Sequence, residues 1–239
     1  MKKKNFPAPV ITSHDGFLVV RDDLIAGGTK RRALTELLGN ITAHEVVYPA
    51  TAYGYGQLAL AYAGMDTGKK VTLFLAARSD FSKTPLVREV MEKTNAQYQF
   101  VPYPNFMNVV QARARAYCEE TGAKLLPLGF NTPEFSAILT RIAKGMNINP
   151  PKEVWLAGGT GTLARALSQA WPQAKIHAVS LGMRNGDMGN AIVHEAPEKF
   201  EQKAKNPPPF PSASHYDAKV WQFAKAHGKK GALIWNVGK

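Results

Sequence analysis

Lys30 is the residue with the clearest chemical potential. It closes a glycine turn and opens a helical pattern in Arg21-Asp22-Asp23-Leu24-Ile25-Ala26-Gly27-Gly28-Thr29-Lys30-Arg31-Arg32-Ala33-Leu34. The glycine pair lets the backbone turn tightly. A lysine at a helix start feels the positive end of the helix dipole, which disfavours its protonation, and Arg31 and Arg32 act in the same direction. A neutral amine is the form that attacks a carbonyl carbon, so Lys30 is a candidate nucleophile for Schiff-base formation. The same residues also suit a solvated turn leading into a basic first helical turn.

A second candidate is Val154-Trp155-Leu156-Ala157-Gly158-Gly159-Thr160-Gly161-Thr162-Leu163-Ala164-Arg165, which reads as strand, Gly/Thr turn and helix. Backbone N–H groups and two hydroxyls at a helix N-terminus suit a phosphate. The Walker A ending is missing, which disfavours an ATPase. Gly159-x-Gly161-x-x-Ala164 fits a dinucleotide fingerprint, yet Ile176-His177-Ala178-Val179-Ser180 ends without the acid that would hold a ribose. A turn that merely packs a helix onto a sheet is the third reading.

Two further segments carry polar chemistry. Pro49-Ala50-Thr51-Ala52-Tyr53-Gly54-Tyr55-Gly56-Gln57 follows a strand, and its small residues would let the backbone approach a flat ring or bind a carboxylate through N–H groups. Tyr53 and Tyr55 also suit packing. Ser214-His215-Tyr216-Asp217-Ala218-Lys219 opens the last helix, where Asp217 is either a helix cap or a buried carboxylate partner.

The elements that must position these groups follow from periodicity. Apolar runs at 17–20, 45–48, 71–75, 98–101, 124–127, 153–157, 175–180 and 232–235 read as strands. Between them, spacings near 3.6 place helices at 29–38, 55–63, 83–94, 109–121, 132–145, 160–170 and 218–227, with Gly39, Gly64, Gly122 and Gly228 as stops. The proline-rich stretch 206–211 reads as an extended connector. Alternating strands and helices predict an α/β fold with a mainly parallel sheet, helices on both faces, and ligand sites at the carboxyl ends of the strands.

Composition bounds the class. The 239 residues are 45% hydrophobic and 10% aromatic, enough to bury a core, and 30 Lys and Arg against 18 Asp and Glu give a formal charge of +12. This excludes a chain that is mainly disordered. One cysteine, Cys118, excludes an internal disulfide, and the absence of a Cys/His cluster predicts no metal site. The start, Met1-Lys2-Lys3-Lys4-Asn5-Phe6-Pro7, lacks an apolar signal core, and no run of about 18 apolar residues occurs, so the expectation is a soluble, cytoplasmic protein.

Taken in order, the segments resemble the fold type II family of pyridoxal-phosphate enzymes (tryptophan synthase beta-like). The nearest branch is that of aminocyclopropane-carboxylate deaminase and D-cysteine desulfhydrase. That branch reads an acidic-Leu pair, then Gly-Gly-Asn-Lys-x-Arg-Lys-Leu; this chain has Asp23-Leu24, then Gly27-Gly28-Thr29-Lys30-Arg31-Arg32-Ala33-Leu34. The family's Ser-Asn-His/Gln loop is similar to Ala50-Thr51-Ala52, and its Ile-Pro-x-Gly segment to Leu126-Pro127-Leu128-Gly129. Its phosphate loop is similar to Gly158-Gly159-Thr160-Gly161-Thr162, its Tyr-x-Gly-Lys segment to Tyr216-Asp217-Ala218-Lys219, and its closing strand to Leu233-Ile234-Trp235-Asn236-Val237-Gly238.

The resemblance implies a pyridoxal 5'-phosphate-dependent lyase working at the α-carbon of an amino acid, by decarboxylation or by elimination and deamination. It implies Lys30 as the Schiff-base lysine and Tyr216 as a stacking or proton-transfer residue. Thr51, Gly158, Gly159, Thr160, Gly161, Thr162 and Asp217 would hold the cofactor, with Asp217 keeping its ring nitrogen protonated. Ala50, Thr51, Ala52 and Tyr53 would face substrate. Ala50 and Thr51 replace the family's Ser and Asn, which departs from deaminase chemistry through that Ser. The expected domains are 1–44 with 128–239 as the larger, cofactor-binding one, and 45–127 as a smaller α/β one; the chain is short, so the second domain is trimmed. The family commonly forms homodimers. Short members occur among bacteriophage proteins linked to DNA hypermodification, in the host cytoplasm, and the +12 charge suits an amino acid carried on DNA. The alternative is a non-catalytic nucleic-acid-binding protein on a degenerate enzyme fold.

Overall fold

The computed structural model describes residues 6–77, 84–102, 106–181 and 186–239. Lys2, Lys3 and Lys4 of the basic start, and Lys83 of the third expected helix, lie outside the described residues. The chain forms two compact units.

The first unit, Lys30–Phe130, holds a four-stranded parallel sheet. Its strands are β3 (Glu45–Pro49), β4 (Lys70–Ala76), β5 (Gln97–Val101) and β6 (Lys124–Leu125), in the order β5-β4-β3-β6. Most of α1 (Gly28–Asn40), with α2 (Gly56–Thr67), α3 (Pro85–Lys93) and α4 (Met107–Thr121), belongs to this unit. Val110 and Ala114 of α4 pack on Val47, Phe74, Ala76 and Val101. The expected stop at Gly64 falls inside α2, which ends instead at Gly68 with φ 67°. Gly64 is small for another reason: a Cβ there would come within 2.4 Å of Val71 Cγ2 on β4.

The second unit comprises Phe6–Thr29 and Asn131–Lys239. Its six-stranded sheet runs β1-β2-β10-β7-β8-β9, parallel throughout except for the β1–β2 pair. The strands are β1 (Ile11–His14), β2 (Phe17–Arg21), β7 (Glu153–Gly158), β8 (Lys175–Ser180), β9 (Ile192–Glu195) and β10 (Leu233–Asn236). Helices α5 (Pro133–Lys144), α6 (Thr162–Ala170) and α7 (Val220–His227) complete it. Val220, Trp221 and Ala224 of α7 share a core with Phe17, Val19, Trp155, Ala157, Val179 and Ile234. α5 starts where its signals coincide: the Thr132 hydroxyl accepts the Phe135 N–H at 3.2 Å, and Pro133 takes the first helical position, where no N–H is needed. The connector 206–211 is pinned by Phe210, whose buried ring meets the Trp221 ring edge-on at 5.6 Å.

The units divide at Thr29/Lys30 and Phe130/Asn131, where the sequence suggests 44/45 and 127/128. α1 is the cause of the first difference. Arg31 donates two hydrogen bonds to Asp66 of α2, at 2.7 and 2.8 Å, and the Thr35 hydroxyl adds a third at 3.2 Å. Among the described residues, no helix is long and apolar enough to cross a membrane.

Candidate active site

The turn before Lys30 is locked by side chains far away in sequence. Asp22–Leu24 forms a 3-10 turn, and Gly27 and Gly28 follow at φ 84° and 65°, in the left-handed region that glycine tolerates. The Thr29 hydroxyl then donates to Asp22 Oδ2 at 2.7 Å and accepts the Trp235 indole N–H at 2.8 Å. Both Asp22 and Thr29 are buried. Asp23 is held by Arg21 at 2.7 and 2.9 Å and by Asn236 Nδ2 at 2.9 Å. Sequence reasoning names this turn but not the partnership of Asp22, Trp235 and Asn236. Its one signal is Thr29, standing where the resembling family has Asn.

Lys30 is the third residue of α1. Its ammonium nitrogen lies 5.7 Å from the centroid of the Phe130 ring, in cation–π range. Phe130 is fully buried at φ 57°, a strained conformation for a bulky side chain, and stacks on Tyr48 with centroids 4.6 Å apart. Burial pushes the Tyr48 hydroxyl up to about 12, so it stays neutral and accepts the Gly129 N–H at 3.2 Å. Arg31 does not act on Lys30 as a bare charge, because Asp66 pairs with it and its guanidinium lies over the Tyr62 ring at 4.7 Å.

The loop after β3 belongs to the same unit. Ala50 and Ala52 are buried, and Thr51 and Tyr53 are half-buried. Gln57 braces the loop: its amide nitrogen donates to the carbonyls of Thr51 at 2.8 Å and Ala52 at 3.2 Å, while its oxygen accepts the Tyr98 hydroxyl at 2.6 Å. With these two carbonyls turned toward Gln57, trans peptide geometry turns the N–H groups of Ala52 and Tyr53 the other way. The Phe130 ring also reaches this region, since a Cβ on Gly56 would lie 3.3 Å from it.

The Gly/Thr loop, Tyr216 and Asp217 come together in the second unit. The loop leaves the end of β7 and enters α6, with Gly161 at φ 78° as the cap of the helix. Thr160 and Thr162 place their hydroxyls 3.2 Å apart at the helix start. A Cβ on Gly159 would sit 2.6 Å from the Tyr216 hydroxyl, so that hydroxyl lies directly over the loop. Asp217 is buried, and its Oδ2 accepts the Gly238 N–H at 3.2 Å. Its carboxylate thus serves the chain after β10, while Asp217 itself opens the short 217–219 turn ahead of α7. Lys219, two residues on, is fully buried and donates to the Lys199 carbonyl at 2.8 Å; burial pulls its ammonium below the usual lysine range, against the nearby Glu198 and Glu201.

A Gly/Thr loop running from the carboxyl end of a parallel strand into a helix belongs to a known architecture. The chain superposes on a homologue of ACC deaminase with a TM-score of 0.72 at 13% identity, over 93% of this chain and 84% of the other. It has the fold of the fold type II pyridoxal-phosphate enzymes. The processed form of threonine deaminase isoform 2 from Solanum lycopersicum shares this fold with a TM-score of 0.66 at 14% identity, covering 93% of this chain and 74% of the other. Diaminopropionate ammonia lyase from Escherichia coli shares it with a TM-score of 0.66 at 10% identity, covering 99% and 86%. No protein-family model and no curated protein matches the sequence. The fold type II likeness is thus carried by backbone architecture, and the site assignment rests on this chain's own residues.

Proposed function

We propose that this chain is a pyridoxal-phosphate-dependent lyase acting at the α-carbon of an amino acid. The observation that carries the reading is the grouping in one unit of the 158–162 loop, the Tyr216 hydroxyl over Gly159 and the buried carboxylate of Asp217. The residues fit the cofactor. Gly159 and Gly161 stand at a helix start where any side chain would collide with Tyr216 or Asp187, so the loop there is lined by backbone, the kind of surface that suits a phosphate. A buried carboxylate is the partner that a protonated ring nitrogen needs. Solved proteins of this fold include a threonine deaminase and a diaminopropionate ammonia lyase, whose reactions are of this class.

Bound pyridoxal phosphate supplies an electron sink for the pair released at the substrate's α-carbon. The residues do the rest. Thr160, Thr162 and the loop backbone would bind the phosphate. Asp217 would hold a proton on the ring nitrogen. Lys30 would supply the amine that holds the cofactor and would move a proton at the substrate's α-carbon. The N–H groups of Ala52 and Tyr53 orient the substrate carboxylate, and Tyr216 holds a proton above the loop. Ala50 has no hydroxyl, which leaves proton transfer to Lys30 and Tyr216 and favours decarboxylation or simple elimination.

The +12 charge supports an amino acid attached to a DNA base as substrate, because a polyanion gains affinity by counterion release on a basic protein. The same charge supports the second reading, a nucleic-acid-binding module on this fold. Adding pyridoxal phosphate to the purified protein separates the two: a yellow band that amino acids perturb supports the lyase. A colourless protein that retains single-stranded DNA in a salt-dependent way supports the module.

A further inference from the structure

Arg165 stands one turn into α6, directly behind the Gly/Thr loop. Its guanidinium folds back over that loop. Nη1 donates to the Asp187 carbonyl and lies 3.5 Å from the Thr160 carbonyl, and Nη2 donates to Asn131 Oδ1. The Asp187 carboxylate completes the set, with Oδ2 3.6 Å from Nη1. The two partners differ in their access to water: the Arg165 side chain is 19% exposed and that of Asp187 76%. Both press on Gly161, where a Cβ would come within 3.0 Å of Nη1 and 1.9 Å of the Asp187 carbonyl oxygen.

A largely buried guanidinium at the rim of an anion-binding loop is therefore balanced by a carboxylate that solvent already reaches. An ion pair at 3.6 Å whose carboxylate is open to solvent is weak, whereas a phosphate dianion offers a guanidinium short, forked, charge-assisted hydrogen bonds. We propose that Arg165 is a phosphate-binding residue of the 158–162 loop and that Asp187 is the anion it exchanges for the phosphate. Asn131 keeps the guanidinium plane in place while its partner changes. The inference rests on the cofactor reading above and deepens it.

The test compares pyridoxal phosphate, pyridoxal without its phosphate, and inorganic phosphate, each titrated into the full chain by calorimetry. Arg165→Gln is expected to weaken pyridoxal phosphate by about tenfold or more, because a charge-assisted hydrogen bond is lost, and to leave pyridoxal unchanged. Asp187→Asn is expected to act in the opposite direction and tighten pyridoxal phosphate, because it removes the competing anion. An Arg165→Gln protein that binds pyridoxal phosphate as tightly as the parent overturns the proposal, as does one that loses pyridoxal equally, or an Asp187→Asn protein with weaker phosphate binding. If the parent chain binds inorganic phosphate through Arg165 but not pyridoxal phosphate, the cofactor reading fails and this inference stands. If it binds none of the three, both fail.

Discussion

The Tyr216 hydroxyl lies over Gly159 so closely that a methyl group on that glycine would approach it to 2.6 Å, while the next atom of the ring would remain at 3.6 Å. Crowding at Gly159 is therefore due to the hydroxyl and not to the ring. Gly159→Ala is expected to cost about 1–3 kcal/mol in the parent protein, the usual cost of overpacking, and to be tolerated in a Tyr216→Phe background. Denaturant unfolding of the four proteins of this double-mutant cycle checks it. Strict additivity would contradict the contact.

One hydroxyl ties the turn ahead of Lys30 to both Asp22 and Trp235. Thr29→Val keeps the shape but removes the hydroxyl's bond to the buried Asp22 carboxylate and the acceptor of the Trp235 indole N–H, at an expected cost of about 1–3 kcal/mol. Thr29→Ser keeps both bonds and should lose far less. Equal losses for the two variants, measured by the same unfolding method, would show that packing of the methyl group and not the hydrogen-bond relay holds the turn.

A histidine pair makes the second unit sensitive to acid. His177 Nδ1 and His194 Nε2 lie 3.0 Å apart, so one ring must accept while the other donates, and the Trp155 ring stacks on His177 at 4.1 Å. Burial pulls both imidazoles below their usual value. His194 and Lys175 push His177 further down, Glu153 opposes them, and His227 lowers both rings. Because the folded value lies below the unfolded one, the stabilisation is complete above about pH 6.5 and is lost as the pH falls through the folded value. The thermal midpoint should hold from about pH 8 to 7 and decline below about pH 6. His194→Gln keeps a neutral hydrogen-bonding group and should flatten that decline; an identical acid limb in the variant would contradict the assignment.

Much of this is legible in the sequence because local and tertiary signals agree. β7 is a run of six buried residues followed by glycines and an amphipathic helix, so strand, loop and helix are readable together. β1 and β9 are not readable, because each is a four-residue edge strand without an apolar run, and Ile192 and Val193 of β9 stay half exposed. Gly64 misleads as a helix stop, since its smallness answers to Val71 on a neighbouring strand. Lys30, the 158–162 loop and Asp217 stand out as candidates by residue type and order. The relay Asp22–Thr29–Trp235 does not, since it joins residues 7 and 206 positions apart, and the Gln57–Tyr98 brace spans 41. Such partnerships exist only once the sheets have formed.

Lys30 carries the central claim. Titration of the protein with pyridoxal phosphate, followed by borohydride reduction and peptide mapping, tests it most directly. The account requires a yellow species whose reduced pyridoxyl group maps to Lys30. That species should vanish in Lys30→Ala while the variant still folds; the Phe130 cation–π contact that it loses contributes about 0.5–1 kcal/mol. A pyridoxyl group on another lysine, or an unchanged band in Lys30→Ala, would contradict it.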